Sequence, residues 1–321
     1  MTIPTLDRTL QLRFIADWGD ANLHRVAGWI SYEVITHTRP HTRTAIWSGV
    51  GGFDAAFAVG RGEVDIGLAT PSCYVELAHK GIGPFANERI ETLRGLAVIP
   101  QYDRLILGVR KSLGIRSLAD IRERRFALRL ALSADDGRSH FGFAAHRVLE
   151  AHGISIADLQ AWGGSVFYGE RPNVCLSAML RGEVDAVLHE AIMSAGWREL
   201  VSRDEIVFLS FEPHALSAVQ DRFGLPPAVL PKGYYAGQDA DVAALEFSDF
   251  LVYARADLPD DVAYLVTAAM VETRARFEGA FRHIPVERSP VTYPLEPRAM
   301  ARTPIPLHPG AERYYRENQL L

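Results

Sequence analysis

The sequence predicts an α/β protein of two similarly built lobes. Length, an internal repeat and an alternation of strand and helix patterns carry that expectation. At 321 residues the chain exceeds one ordinary core and suits two lobes of roughly 150 residues each. The repeat is the pentapeptide Arg-Gly-Glu-Val-Asp, present at 61–65 and again at 181–185. Its surroundings repeat with it: residues 56–72 read AFAVGRGEVDIGLATPS, and residues 176–192 read LSAMLRGEVDAVLHEAI. Each copy reads as an apolar helix, a glycine after the helix where positive φ is tolerated, then a short buried strand. One supersecondary unit therefore recurs in both halves.

The elements follow in order. Residues 10–15 read as a strand, 23–36 as a helix, 44–47 as a strand, and a helix begins at about Phe53. Ser117-Leu118-Ala119-Asp120 has capping-box spacing and opens a helix. Residues 126–132 alternate like a strand, and 140–152 read as a helix closed by Gly153. Residues 163–169 read as a loop before a helix at Pro172. A proline-rich stretch at 225–232 precedes a strand at 247–253, and Asp257-Leu258-Pro259-Asp260-Asp261 caps a long helix to about Phe277. This alternation argues for mostly parallel sheets. Strands near 100–112 and 233–245 are expected to cross between the lobes. The first lobe is then 1–112 plus 236–321 and the inserted lobe 113–235, with a ligand cleft at the carboxyl ends of the strands.

Composition narrows the function. The chain is 48% hydrophobic and 23% charged with a net charge of −5, which gives no footprint for nucleic acid. No apolar run approaches the roughly 18 residues of a membrane span. The start, Met1-Thr2-Ile3-Pro4-Thr5-Leu6-Asp7-Arg8, lacks the apolar core of a secretion signal. As it stands the sequence reads as cytoplasmic, and as periplasmic if a leader has been trimmed away. Cys73 and Cys175 have no CxxC partner and read as small buried hydrophobes. No cofactor or metal is expected: Pro40 breaks the helical spacing of His37 and His41, and Gly49-Val50-Gly51-Gly52 lacks dinucleotide-loop spacing.

Several segments resemble the TAXI family of solute receptors that serve TRAP transporters. They are the tail Pro306-Leu307-His308-Pro309-Gly310-Ala311-Glu312-Arg313-Tyr314-Tyr315-Arg316-Glu317, the stretch Ser117-Leu118-Ala119-Asp120-Ile121, residues 181–186, 257–261, and 146–154. The resemblance spans about Ser48 to Glu317. It implies a two-lobed periplasmic-binding-protein-like fold of type II, a small organic acid or amino-acid-like ligand, and TRAP membrane subunits as partners of an exported protein. Two loops depart from the family's glycine-rich pattern: Ala16-Asp17-Trp18-Gly19-Asp20-Ala21-Asn22 and Ser133-Ala134-Asp135-Asp136-Gly137-Arg138-Ser139-His140.

The candidate ligand-binding residues cluster at the expected strand ends. The loop holding Ser133, Asp135, Arg138, Ser139 and His140 runs from a strand into a helix, where free N–H groups favour an anion. Arg138 is either a clamp on a carboxylate or a neutraliser of Asp135 and Asp136, one of which then caps the helix. Thr70 and Ser72 offer hydroxyls, or bond locally in a turn. The repeat places them opposite Glu190-Ala191-Ile192, where Glu190 is either a ligand contact or a salt-bridged carboxylate. Ser165 and Tyr168 precede the next helix. Trp18 either stacks on a ligand or packs in the core, and Tyr235 and Gln238 stand at the expected hinge. His308 reads as an anchor of the tail.

Two functions remain open from sequence. One is a receptor that closes on a small, carboxylate-bearing molecule without chemistry. The other is a cytosolic enzyme on the same scaffold, such as a decarboxylase of an aromatic or related acid, drawing on Asp135, Asp136, His140, His189 and Glu190. The sequence contains no recognised catalytic constellation, which leans the reading toward the receptor.

Overall fold

The computed structural model describes residues 2–19, 21–191 and 194–321. The chain divides into two compact units, residues 1–102 with 248–321, and 103–247. The divisions fall ten residues before and twelve after the expected boundaries at 112 and 235. The reason is local: both strands expected to cross between lobes belong to the sheet of the second unit. The chain passes from one unit to the other in the short links around 102–103 and 247–248.

The first unit opens β1 (Gln11–Ile15), α1 (Asn22–Thr36), β2 (Arg43–Trp47), α2 (Phe53–Gly60), β3 (Ile66–Ala69), α3 (Cys73–Lys80) and β4 (Leu93–Pro100). The second runs through β5 (Arg104–Arg110), α4 (Leu118–Glu123), β6 (Arg129–Leu132), α5 (His140–Ala151), α6 (Ile156–Ala161), β7 (Ser165–Tyr168), α7 (Pro172–Leu180), β8 (Ala186–Glu190), α8 (Ala195–Ser202), β9 (Ile206–Leu209), α9 (Pro213–Phe223), β10 (Pro227–Leu230) and β11 (Val242–Glu246). The first unit then closes with β12 (Asp249–Arg255), α10 (Asp260–Glu272), α11 (Arg274–Gly279), α12 (Pro297–Met300) and α13 (Pro309–Glu317).

The first sheet has the order β2-β1-β3-β12-β4. The second contains the same arrangement as β7-β6-β8-β5-β9, with β11 and β10 added along β5. In each, the first three strands run parallel, and β12 or β5 runs against them. The repeated pentapeptides occupy matching places. Gly62 and Gly182 follow α2 and α7 at φ +71° and +76°, as a helix stop requires. Asp65 and Asp185 then introduce β3 and β8.

Each aspartate is held by an arginine on the neighbouring first strand. Arg129 donates to both oxygens of Asp185, at 2.6 and 2.7 Å, and to the carbonyl of Gly182 at 3.0 Å. Arg13 makes longer versions of these bonds to Asp65 and Gly62, and its own amide donates to Asp65 at 2.7 Å. In both units the aspartate N–H donates back to the arginine carbonyl. The clamp therefore sets strand register: Phe14 faces Ile66, and Leu130 faces Ala186.

Two sequence expectations are corrected. The stretch read as a loop at 163–169 contains β7, whose side chains lack a clear burial alternation because it is an edge strand. The long helix after Pro259 breaks at Thr273, where the hydroxyl donates to the carbonyl of Ala269 and accepts from the Trp29 indole. Such back-bonding by threonine bends a helix. Ser117 and Asp120 do form the expected capping box. Among the described residues no helix is long and apolar enough to cross a membrane.

The clamps make a paired prediction. Asp185→Asn and Asp65→Asn should each lower stability by about 1 kcal/mol in urea unfolding, with Asp185→Asn the larger because its bonds are shorter and its carboxylate better buried. The two losses should add within about 0.5 kcal/mol, since the clamps share no partner.

Candidate functional site

Parallel strands bring their carboxyl ends, and the amino ends of the following helices, to one edge of each sheet. In the first unit that edge is lined by carboxylates already in use. Asp17 follows β1 and accepts from the amides of Leu23 at 2.7 Å, His24 at 3.2 Å and Gly19 at 3.4 Å, closing the start of α1. Burial raises its pKa, against the pull of those N–H donors. Asp54 accepts from the amides of Val50 and Gly52 before α2. Asp249 accepts from the Ser72 amide at 2.8 Å and its hydroxyl at 2.6 Å before α3. Thr70 donates to the carbonyl of Asp249 and accepts from Gln101. The hydroxyls of Thr70 and Ser72 thus spend their donors inside the protein. Trp18 is half-buried in the loop after β1, and Asp20 of that loop lies outside the described residues.

In the second unit the loop after β6 is folded by its own side chains. Ser139 caps α5, accepting from the Gly142 amide at 3.2 Å. Asp136 accepts from the amides of Arg138 and Ser139, and Asp135 pairs with Arg147 at 2.8 Å. Neither aspartate is the cap, and neither is matched to Arg138, whose side chain is exposed and makes no ion pair among the described residues. Gly142 sits so tightly under this loop that a Cβ there would overlap the carbonyl of Ala134.

Behind the loop lies a sealed polar chain. The Glu190 amide donates to Nδ1 of His189 at 2.9 Å, so the His189 proton resides on Nε2. Nε2 donates to Ser133 Oγ at 3.2 Å, and Ser133 donates to the carbonyl of Gly169 at 3.0 Å. This chain ties the ends of β8, β6 and β7 together. His140 is wholly buried and packs on Phe141 and Phe247. Burial drives the pKa of both histidines down to about 3, with the neighbouring His189 adding to the effect at His140. Both rings are neutral.

Glu190 ends β8 and is buried; its carboxyl lies against Asp103, a buried residue that sequence reasoning missed. Burial pushes Asp103 up, so this pair holds a proton that two exposed carboxylates would lose. Nothing in the sequence around Asp103 marks it, because its partner lies 87 positions away.

The remaining candidates scatter. Tyr168 ends β7 with its ring 51% exposed and stacked near His146. Ser165 opens the same strand beside Arg129, at the opposite end of the sheet from Ser133, so it does not join the others. Tyr235 is buried and donates to the carbonyl of Ala191 at 2.6 Å. Gln238 spends its amide on the carbonyls of Leu230, Pro231 and Ala240, so these two residues build a turn rather than a free hinge contact. Ile192 lies outside the described residues. Cys73 and Cys175 are not joined in a disulfide. Among the described residues no cluster of three or more His, Cys, Asp or Glu is placed to hold a metal.

The family pattern described as NMT1-like matches residues 31–318. The chain belongs to the NMT1-like family. Its fold is shared with PhnD1 from Prochlorococcus marinus in complex with methylphosphonate, at TM-score 0.54 and 11% identity over 97% of this chain and 99% of that one. It is similar in the same way to MatC from Rhodopseudomonas palustris with bound malate, at TM-score 0.53 and 14% identity over 98% of each chain. XAC2383 from Xanthomonas citri bound to ATP aligns at TM-score 0.53 and 14% identity, over 98% of this chain and 100% of the other. No curated protein matches the sequence. This NMT1-like chain therefore has the two-lobed periplasmic-binding-protein-like fold that its sequence suggested.

Two measurements check the second unit's strand ends. Gly142→Ala should destabilise by about 1–3 kcal/mol in denaturant unfolding, because the clash with backbone outweighs the better helix propensity of alanine. The histidines predict acid lability. Each binds a proton near pH 6.5 when unfolded but only near pH 3 when folded, so stability is full above 6.5 and falls as pH drops toward 3. One such histidine costs about 2 kcal/mol by pH 5. Asp103, raised by burial, acts with the opposite sign, stabilising at low pH and losing that contribution as pH rises. His140→Phe should therefore flatten the fall in unfolding free energy between pH 7 and pH 5 relative to wild type.

Proposed function

We propose that this NMT1-like protein is a solute-binding receptor for a small organic acid or amino-acid-like molecule, of the TAXI type that hands its solute to TRAP membrane subunits. Family membership and a fold shared with proteins solved with methylphosphonate, malate and ATP support the receptor reading. Delivery to a membrane complex calls for an exported protein.

One observation carries the ligand class. In the loop after β6, Asp135 and Asp136 are already satisfied, while the exposed Arg138 guanidinium stands beside the amino end of α5. An exposed guanidinium with no ion pair is a natural receiver of a carboxylate or another planar or tetrahedral anion. Tyr168 and Trp18 supply aromatic faces at strand ends of their units. Catalysis through an imidazole would need a ring that can reach substrate and exchange protons near neutral pH. His140 and His189 are enclosed and neutral, and both nitrogens of His189 are occupied.

Thermal-shift screening of carboxylates, phosphonates, sulfonates and amino acids should find a stabilising ligand, worth about 2.7 kcal/mol at one hundred times its dissociation constant. Arg138→Ala should leave the unliganded melting temperature unchanged and weaken an anionic hit about tenfold or more. Unchanged affinity in that variant removes Arg138 from the site. A ligand recovered chemically altered after incubation overturns the receptor reading.

A further inference from the structure

The two units differ at one matching place. In the first sheet the edge strand is β4, and its outer side is covered by the chain's own tail. Gly95 forms a parallel bridge with Leu307: its amide donates to the carbonyl of Pro306, and its carbonyl accepts from the amide of His308, each at 2.9 Å. The matching edge in the second sheet is β9. Tyr253 pairs with both Gly67 and Gly95, and Gly108 pairs with both Val187 and Phe208. Gly67 and Val187 hold the same position of the internal repeat, so Phe208 is the counterpart of Gly95.

The outer side of β9 is open. The amide of Arg110 donates to Asp185 of the unit, away from β9, and the amide of Lys111 donates to Glu205. Antiparallel pairs alternate between bonded and non-bonded. Ile206 and Phe208 therefore point their N–H and C=O groups away from β5, and no described residue bonds to them there. They face a cavity of about 600 Å³ whose other walls include Val201, Pro213 and Val242. Its charged lining holds four carboxylates, Asp204, Glu212, Asp239 and Asp241, against Lys111 and Arg116.

We propose that the outer edge of β9 is a docking site for an extended segment of a second protein, which adds as a parallel strand and bridges Phe208 as the tail bridges Gly95. An edge strand with unpaired backbone groups is a template for strand addition, with main-chain bonds giving affinity and flanking pockets giving selectivity. The acidic lining selects a segment that carries lysine or arginine among alternating apolar residues. The site is separate from the ligand-binding loops and does not depend on the receptor reading.

The test uses the whole chain and a synthetic peptide of its own residues 302–308, Arg-Thr-Pro-Ile-Pro-Leu-His, whose native place is already filled. Residue-resolved hydrogen exchange should find the Phe208 amide fast in the protein alone, with those of Val207 and Leu209 slow. At 1 mM peptide, on the order of the weak affinity expected of a short unoptimised strand, the Phe208 amide should slow at least tenfold. Phe208→Ala keeps the outward N–H and should retain binding. Phe208→Pro removes that N–H without touching a bond to β5 and should lose binding at least tenfold, and Asp239→Arg should weaken it as well. A Phe208 amide protected in the protein alone overturns the proposal. So does absence of protection by the peptide, or equal loss in the alanine and proline variants. Concentration-dependent dimers that protect Phe208 without peptide would assign the edge to a second copy instead.

Discussion

An arginine on the first strand of each unit, Arg13 or Arg129, holds the carboxylate that introduces the third strand, Asp65 or Asp185. The contact fixes which residue of β1 faces β3 and which of β6 faces β8. Because side chains alternate along a strand, a slip of one residue there would turn the buried rows of both sheets outward. Phe14, Ile66, Leu130 and Ala186 are all fully buried beside the clamp. Everything delivered to the far strand ends, from Asp17 to Ser133 and Glu190, inherits its position from that pairing.

The two units use those strand ends differently. In the first, Asp17, Asp54 and Asp249 take the amide donors that lead into three helices, so the protein supplies its own anions. In the second, α5 is capped by a neutral serine, and the nearby positive charge of Arg138 is left outward. The helix starts of the first unit are thus satisfied from within, while an exposed guanidinium stands near the start of α5 in the second.

The architecture was legible because its signals are local. Gly62 and Gly182 stop helices by their freedom at positive φ, and Ser117 with Asp120 caps one through neighbours three residues apart. The repeat exposed the matching of β3 with β8 directly. The partners of the repeat were hidden, since Arg13 and Arg129 lie 52 and 56 positions upstream of their aspartates. The site was read less well for the same reason. Thr70 and Ser72 read as available from sequence because Asp249, which engages both, lies 179 and 177 positions on. Gln238 looked like a reaching side chain, but its amide closes a turn within eight residues. β7 was missed because a half-exposed four-residue edge strand carries little periodic signal.

A duplicated framework carries a hazard in folding, since a strand of one half can pair with the wrong half. The aromatic and glycine positions oppose that exchange. Tyr253 of β12 lies between Gly67 and Gly95, and its ring fills the space a Cβ on Gly67 would need. In the other half the glycine is Gly108, central in its row, with Phe208 beside it and Trp197 over it. Pairing β12 with β9 would set Tyr253 against Phe208, and pairing β5 with β4 would set Gly108 against Gly95, with no side chain on either strand at that place. Each wrong combination is either crowded or hollow. The two similarly built halves thereby carry complementary identity tags, and each sheet favours its own strands.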